Sequence, residues 1–192
     1  MSAIGIYGGT FDPIHLGHLI TAQSVKEIRN LEKIIFIPAY ISPHKTDRAS
    51  EKQSHRLKMV KLAIEEFSSF EYSDIELKAK SISYTVKTLE ALKKKYKKLE
   101  LIIGYDNIID FHTWKNPDKI IELADLVVLR RKTNDKKIEK DKYYKAAHFV
   151  KTPVIEISSS EIRNRIKAGL SIDFLVPKKV KEYICELNLY KE

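Results

Sequence analysis

Short apolar runs alternate with amphipathic stretches along most of this chain, and that alternation limits its possible folds more than any other feature. Strand-like runs fall at residues 3–7, 33–38, 99–103, 126–129 and 154–157. Helical patterns lie between them at 19–29, 51–66, 85–96 and 116–123, with 161–167 and 178–189 closing the sequence. Uniformly apolar strands interleaved with amphipathic helices are characteristic of a parallel sheet covered on both sides. The expected fold is therefore α/β: a Rossmann-like, doubly wound, mostly parallel sheet with helices on both faces. At 192 residues the chain is long enough for one such domain. No internal repeat and no Gly/Ser-rich linker divides it. The lysine-dense stretch KTNDKKIEKDKYYKAAH, 132–148, reads as a solvated excursion. Sheets of this kind bind ligands beyond the carboxyl ends of their strands, so the chemistry is to be sought in the segments that follow them.

Charge narrows the choice of partner. The formal net charge is +9, yet 26 acidic residues are dispersed among 35 basic ones. Most lysines then form solvated surface, and the residual positive field favours anionic ligands. No basic run is interleaved with aromatics, so a nucleic-acid partner is not expected. The lone Cys185 excludes an internal disulfide or a cysteine-built metal site, and its place in an amphipathic helix predicts a packed side chain. The opening MSAIGIYGG lacks a basic region leading into a long apolar stretch, and no run approaches the roughly 20 apolar residues of a membrane span. A cytoplasmic location and no membrane partner are expected.

The most distinctive stretch is IYGGTFDPIHLGHL, from Ile6 to Leu19. After an apolar strand, Gly8 and Gly9 remove side chains that would hold a ligand away from the backbone. Thr10 adds a hydroxyl, Asp12-Pro13 makes a turn, and a helix begins near Gly17. A glycine turn running into a helix start collects unpaired N–H groups and the positive end of the helix dipole, a setting for phosphate. Neither a P-loop lysine nor a G-x-G-x-x-G fingerprint is present. The cationic groups are instead His15 and His18, spaced to project to one side, with an ordinary imidazole pKa of about 6.5. Two histidines without an acid-rich partner set make no metal site.

Three further stretches carry chemistry. In ISSSEIRNRI, Ser158 and Glu161 form a capping box that starts a helix at Ser159. With Arg163 on its first turns, this makes a second anion cradle. In AYISPHKTDRAS, proline and basic residues without apolar period predict a surface loop bearing His44 and Lys45. In LIIGYDNIIDFHTWKNPDKI, Gly104 ends a strand and Asp106 is placed to accept from a ribose hydroxyl. Trp114, the only tryptophan, sits in a polar setting where its indole can stack on a flat ring.

GGTFDPIHLGH resembles the H-x-G-H motif of the nucleotidyltransferases, and the order of motifs from residue 4 to about 190 is similar to that of the bacterial nicotinate mononucleotide adenylyltransferases. The resemblance implies transfer of the adenylyl group of ATP to nicotinate mononucleotide, giving nicotinate adenine dinucleotide and pyrophosphate. It implies that His15 and His18 hold ATP phosphates, with Gly8, Gly9, Thr10 and Phe11 lining the nucleotide. Ser158, Ser159, Ser160 and Arg163 join them, Ser160 standing where the family has threonine. Lys45 becomes a phosphate ligand and His44 a weaker one, while Gly104 and Asp106 fall on the ATP side. Trp114 is implied to stack on the pyridine beside Lys115, and the stretch Ser83, Tyr84, Thr85 to meet the nicotinate carboxylate. Tyr105 stands where the family often has alanine or glutamine. One of Arg130 and Arg131 is expected to face the nucleotide. Mg²⁺ would ride on the ATP phosphates, with no metal site of the protein's own. A homo-oligomer is compatible with this reading. Rival readings are a nicotinamide mononucleotide or pantetheine-phosphate adenylyltransferase of the same fold, a catalytically dead nucleotide sensor, and a nucleic-acid-binding protein.

Overall fold

The computed structural model describes residues 2–41, 51–129 and 141–191. Its strands are β1 (Ile4–Gly9), β2 (Lys33–Pro38), β3 (Phe70–Tyr72), β4 (Leu99–Gly104), β5 (Asp125–Leu129) and β6 (His148–Val150). They form one six-stranded sheet in the order β3-β2-β1-β4-β5-β6, every pairing parallel. The helices are α1 (Leu16–Ile28), α2 (Gln53–Ile64), α3 (Ile75–Ala79), α4 (Thr85–Lys93), α5 (Tyr105–Ile109), α6 (Pro117–Leu123), α7 (Lys142–Ala146), α8 (Ser159–Lys167) and α9 (Lys178–Glu186). None is long and apolar enough to cross a membrane, among the described residues.

Strand side chains alternate between two apolar layers, because successive residues of a strand point to opposite faces. Ile34, Phe36, Ile102 and Val127 face Ala22 and Val25 of α1, Met59 and Val60 of α2, Ile162 of α8, and Val180 and Ile184 of α9. Their neighbours Ile35, Ile37, Leu101, Ile103 and Val128 face Leu89 and Leu92 of α4, Ile108 of α5, Ile120 of α6 and Tyr143 of α7. Burial on both faces is why the strands read as continuous apolar runs. The chain leaves β1 toward β2 and β3, then crosses back to β4 on the other side of β1. That reversal opens a crevice at the carboxyl ends of β1 and β4.

Three expectations are corrected. Residues 154–157 are irregular and form no strand, and the sixth strand is β6, which pairs with β5. Pro153 has no N–H to give a ladder, so the apolar residues after it run along the crevice instead. The described end of the stretch 132–148 is not a solvated excursion. Asp141 caps α7 by accepting from the N–H of Tyr144 at 2.8 Å, and the buried Tyr143 packs on Phe111 with ring centroids 5.3 Å apart. Cys185 is exposed rather than packed. The buried stripe of α9 is Val180 and Ile184, and one further residue turns the side chain about 100° away from it.

Candidate active site

A cleft of about 1310 Å³ lies over the carboxyl ends of β1 and β4. β1 delivers the glycines to its floor. A Cβ on Gly8 would meet no atom of the described residues within 4 Å, so the backbone there faces open cleft. A Cβ on Gly9 would fall 3.0 Å from the ring of Phe11, so this glycine makes room for a buried aromatic. Phe11 itself has φ 50°, a left-handed conformation that costs a side-chain-bearing residue about 1–3 kcal/mol. Its ring repays this by packing edge-on to Tyr7 and His18, at 5.9 and 5.1 Å between centroids. The Asp12-Pro13 peptide bond is cis.

The two histidines meet where α1 begins. Their rings stack with centroids 3.7 Å apart, and Nδ1 of His18 accepts from the backbone N–H of His15 at 3.2 Å. Both line the cleft. His15 is only 6% exposed, and burial holds its pKa down at about 4. The ordinary imidazole value expected from sequence therefore does not apply: His15 is neutral at neutral pH before any anion binds. Its Nδ1 is buried without a hydrogen-bond partner among the described residues. Gly17 permits this placement, since a Cβ there would sit 3.0 Å from that nitrogen.

Two charged residues brace the turn: Arg56, which sequence reasoning passed over, and Asp12, which it read only as part of the Asp12-Pro13 turn. Arg56, fully buried on α2, donates to the carbonyls of Thr10 (2.7 Å), Ala39 (2.7 Å), Tyr40 (3.3 Å) and Glu51 (3.2 Å). It thereby ties the segment after β1 to the segment after β2. Asp12, 5% exposed, accepts from the hydroxyl of Tyr190 at 2.8 Å and from the N–H of Glu51 at 3.3 Å. Burial beside this carboxylate pushes the Tyr190 hydroxyl far above its usual pKa, so it stays a donor. Arg56 had a legible signal. With Met59, Val60, Ala63 and Ile64 it falls on the buried stripe of α2, where a charged residue is out of phase.

The serine-rich helix start docks on the same turn. Ser158 caps α8 by accepting from the N–H of Glu161 at 3.1 Å, which is the serine half of the expected capping box; among the described contacts the Glu161 side chain does not return a bond to the Ser158 N–H. The Ser159 hydroxyl donates to the carbonyl of Pro13 at 2.9 Å. Arg163 donates to the carbonyl of Asp12 at 2.7 Å and to the Ser160 hydroxyl at 3.2 Å. Two N–H-rich helix starts, α1 and α8, thus open on one cleft, with histidine, serine and arginine donors between them.

The far end of the cleft is aromatic and amide-rich. Trp114 is half-buried, its ring 5.0 Å from that of Phe111, and one side of it lines the cleft. The ammonium of Lys115 lies 4.3 Å from the centroid of the Tyr84 ring. Tyr84 precedes α4 without giving its first turn a side-chain acceptor. Uncapped N–H groups of a helix start are left for solvent or a ligand. Ser83, Tyr84 and Thr85 all line this end.

Of the described residues singled out by sequence, Gly8, Gly9, Thr10, Phe11, His15, His18, Ser83, Tyr84, Thr85, Gly104, Trp114, Lys115, Ser158, Ser159, Ser160 and Arg163 line the one cleft. Asp106 does not: it is exposed on the first turn of α5, and Asn107 faces the cleft instead. His44, Lys45, Arg130 and Arg131 lie outside the described residues. Among those described, no group of three or more His, Cys, Asp or Glu side chains could hold a metal.

Residues 6–165 match the cytidylyltransferase-like family. The chain is similar to a probable nicotinate-nucleotide adenylyltransferase of Clostridium novyi, with 42% identity over the whole of both chains. A protein of the same description from Flavobacterium johnsoniae is 41% identical, over 98% of this chain and 99% of its own. In fold the chain is similar to Plasmodium falciparum nicotinic acid mononucleotide adenylyltransferase complexed with NaAD. That likeness has a TM-score of 0.78 at 22% identity and covers 99% of this chain and 98% of the other.

Proposed function

The chain belongs to the nicotinate-nucleotide adenylyltransferases of the cytidylyltransferase-like family, and from that premise we propose how its residues divide the work. The reaction is transfer of the adenylyl group of ATP to nicotinate mononucleotide, a step in making NAD. The observation that carries the division of labour is that both anion cradles and the aromatic end share one cleft.

The attacking group is a phosphate oxygen of the mononucleotide, already ionised near neutral pH because the second phosphate pKa is about 6. No general base is needed. Catalysis is then placement of that oxygen in line with the α-phosphorus, and stabilisation of charge gathering on departing pyrophosphate. Gly8 and Gly9 bring bare backbone to the nucleotide. His15, His18 and the start of α1 face its phosphates from one side, and Ser158, Ser159, Ser160 and Arg163 from the other. A neutral His15 keeps one N–H to donate and takes up a proton as phosphate charge grows beside it. Trp114 stacks on the pyridine, and the first N–H groups of α4, at Thr85, hold its carboxylate. Lys45 is proposed as a further phosphate ligand.

The cleft's donors are imidazoles, hydroxyls, a guanidinium and amides, which suit phosphate oxygens rather than a protein-held cation. Mg²⁺ fits as an ion carried on the triphosphate, where it supplies charge neutralisation for the leaving pyrophosphate. On this reading the chain is a cytoplasmic enzyme acting on soluble nucleotides.

The test is pyrophosphate release from ATP and Mg²⁺, with nicotinate mononucleotide, nicotinamide mononucleotide and phosphopantetheine offered in turn. Release with the first alone is the expected result. Equal release with the amide would refute the carboxylate-holding role of Thr85, and release only with phosphopantetheine would refute the Trp114 assignment.

A further inference from the structure

Glu76 is an acid in a cleft built for anions. It stands on the short helix α3 and lines the cleft, and it is half-buried there, which raises the pKa of its carboxyl. Among the described residues its partner is a hydroxyl and not a cation: Thr88 Oγ1 donates to it at 2.6 Å, while the nearby Ser83 hydroxyl works against the rise in its pKa. An acid held there without a counter-charge is costly unless it has a task.

Thr88 and the nearby Ser83 bracket the start of α4. Ser83 and Thr88 lie on either side of Tyr84 and Thr85, one ahead of the helix and one on its first turns. Ser83 is also held from the other side. Its hydroxyl accepts from the N–H of Tyr40 at 2.9 Å, and its own N–H donates to the carbonyl of Ile41 at 2.9 Å. A parallel bridge between Ile41 and Ile82 completes the clamp. The segment that meets the acceptor's carboxylate is thus pinned between the continuation of β2 and Glu76. The direction of its N–H groups follows from these bonds rather than from any contact Glu76 makes with the ligand.

We propose that Glu76 is a positioning residue for acceptor selectivity, acting through Thr88 to aim the first N–H groups of α4. This rests on the reading of that end of the cleft as the pyridine site. Amide donors discriminate a carboxylate from a carboxamide only while they converge on both of its oxygens. Loosening the segment therefore erodes the preference for the acid, and does so without disturbing the phosphate end.

The experiment compares Glu76→Ala, Glu76→Gln and Thr88→Val with Trp114→Ala and the unaltered chain. It measures kcat, the KM for each substrate, the efficiency ratio of nicotinate to nicotinamide mononucleotide, and the melting temperature. Glu76→Ala is expected to raise the KM for nicotinate mononucleotide about tenfold, the worth of one hydrogen bond to a charged group, and to lower the acid-to-amide ratio. The KM for ATP should stay within about twofold. Glu76→Gln, which keeps an acceptor for Thr88, should recover part of the loss, and Thr88→Val should reproduce part of it without removing the acid. A KM for the mononucleotide that moves in Trp114→Ala but in none of the other three variants overturns the role of Glu76 alone. A rise in both KM values together with a fall in kcat and melting temperature overturns it too, marking Glu76 as scaffold. If Trp114→Ala also leaves that KM unchanged, the pyridine site itself is misplaced and the inference falls with it.

Discussion

Gly17→Ala should damage catalysis without damaging the fold. Gly17 lies in the first turn of α1, where alanine is helix-compatible and a better helix former than glycine, by up to about 1 kcal/mol. Propensity alone would make the variant more stable. The new methyl would, however, stand 3.0 Å from Nδ1 and 3.1 Å from Cε1 of His15, and 3.4 Å from Cγ2 of Ile155. The Ile155 contact is nearly ordinary; the other two require the ring to give by a few tenths of an ångström. The ring cannot simply retreat, because it is buried and stacked 3.7 Å from His18. Overpacking of this kind costs about 1–3 kcal/mol, which cancels or exceeds the propensity gain and lowers the melting temperature by no more than about 8 °C. The displaced imidazole would miss the phosphate oxygen proposed for it. Since a misplacement of about 1 Å costs about 10²-fold, a few tenths should cost kcat about tenfold. Gly8→Ala is the matched control. Its methyl meets no atom of the described residues, so it should leave the melting temperature and the His15 ring unchanged while raising the KM for ATP. Steady-state pyrophosphate release, thermal melting and the ring's NMR shifts separate the two. A Gly17→Ala enzyme with kcat within about twofold of the parent and an unmoved ring would refute the steric argument.

Three further outcomes are expected. His18→Ala should lower kcat by roughly 10²–10³, the cost of one donor aimed at developing charge, with little change in mononucleotide binding; a loss under about threefold would remove His18 from that role. His15 should titrate near pH 4 when its ring is followed by NMR in the free protein. Its folded pKa is depressed, so the unfolded chain binds the extra proton, and the stability tied to His15 rises from pH 4 to about 6.5 and is flat above; a midpoint above 6 would contradict the burial. Tyr190→Phe removes a buried donor from the Asp12 carboxylate and should cost about 1.5–3 kcal/mol by denaturant unfolding, whereas no measurable loss would mean that the bond is not made in solution.

What could be read in the sequence was whatever is contiguous. The turn from Gly8 to His18, the serine cap at Ser158 and the four longer strands each occupy one short stretch, where spacing and residue type carry the physics. The cleft that unites them comes from the parallel order of the sheet, and the alternation of apolar runs already implied that order. The three-residue strands β3 and β6 are too short to show a period. Residues 154–157 have the composition of a strand but lie beyond a proline, and only pairing tells the two cases apart. Burial was the other hidden quantity: the pKa of His15 depends on the Gly17 notch and on the ring stacked against it, not on neighbours in sequence.

The least legible residues are the acids, and they explain how the site tolerates its own charge. Asp12 and Glu76 each lie at one end of a cleft whose ligands carry phosphates and a carboxylate, and a bare carboxylate in either place would repel them. Neither is bare. Asp12 receives the Tyr190 hydroxyl from 178 residues away and the N–H of Glu51, with Arg163 3.8 Å from its other oxygen. Glu76 receives the Thr88 hydroxyl at 2.6 Å. Donors aimed at these oxygens screen them from the cleft, and the same bonds fix the backbone on which the anion-facing N–H groups are mounted. Removing such an acid would make the cleft more positive and, on electrostatics alone, should tighten ligand binding. The prediction here has the opposite sign, because aim outweighs net charge when recognition rests on directed N–H groups. Glu76→Ala therefore sets the two effects against each other directly: a lower KM for nicotinate mononucleotide would show charge in control, and a higher one shows geometry.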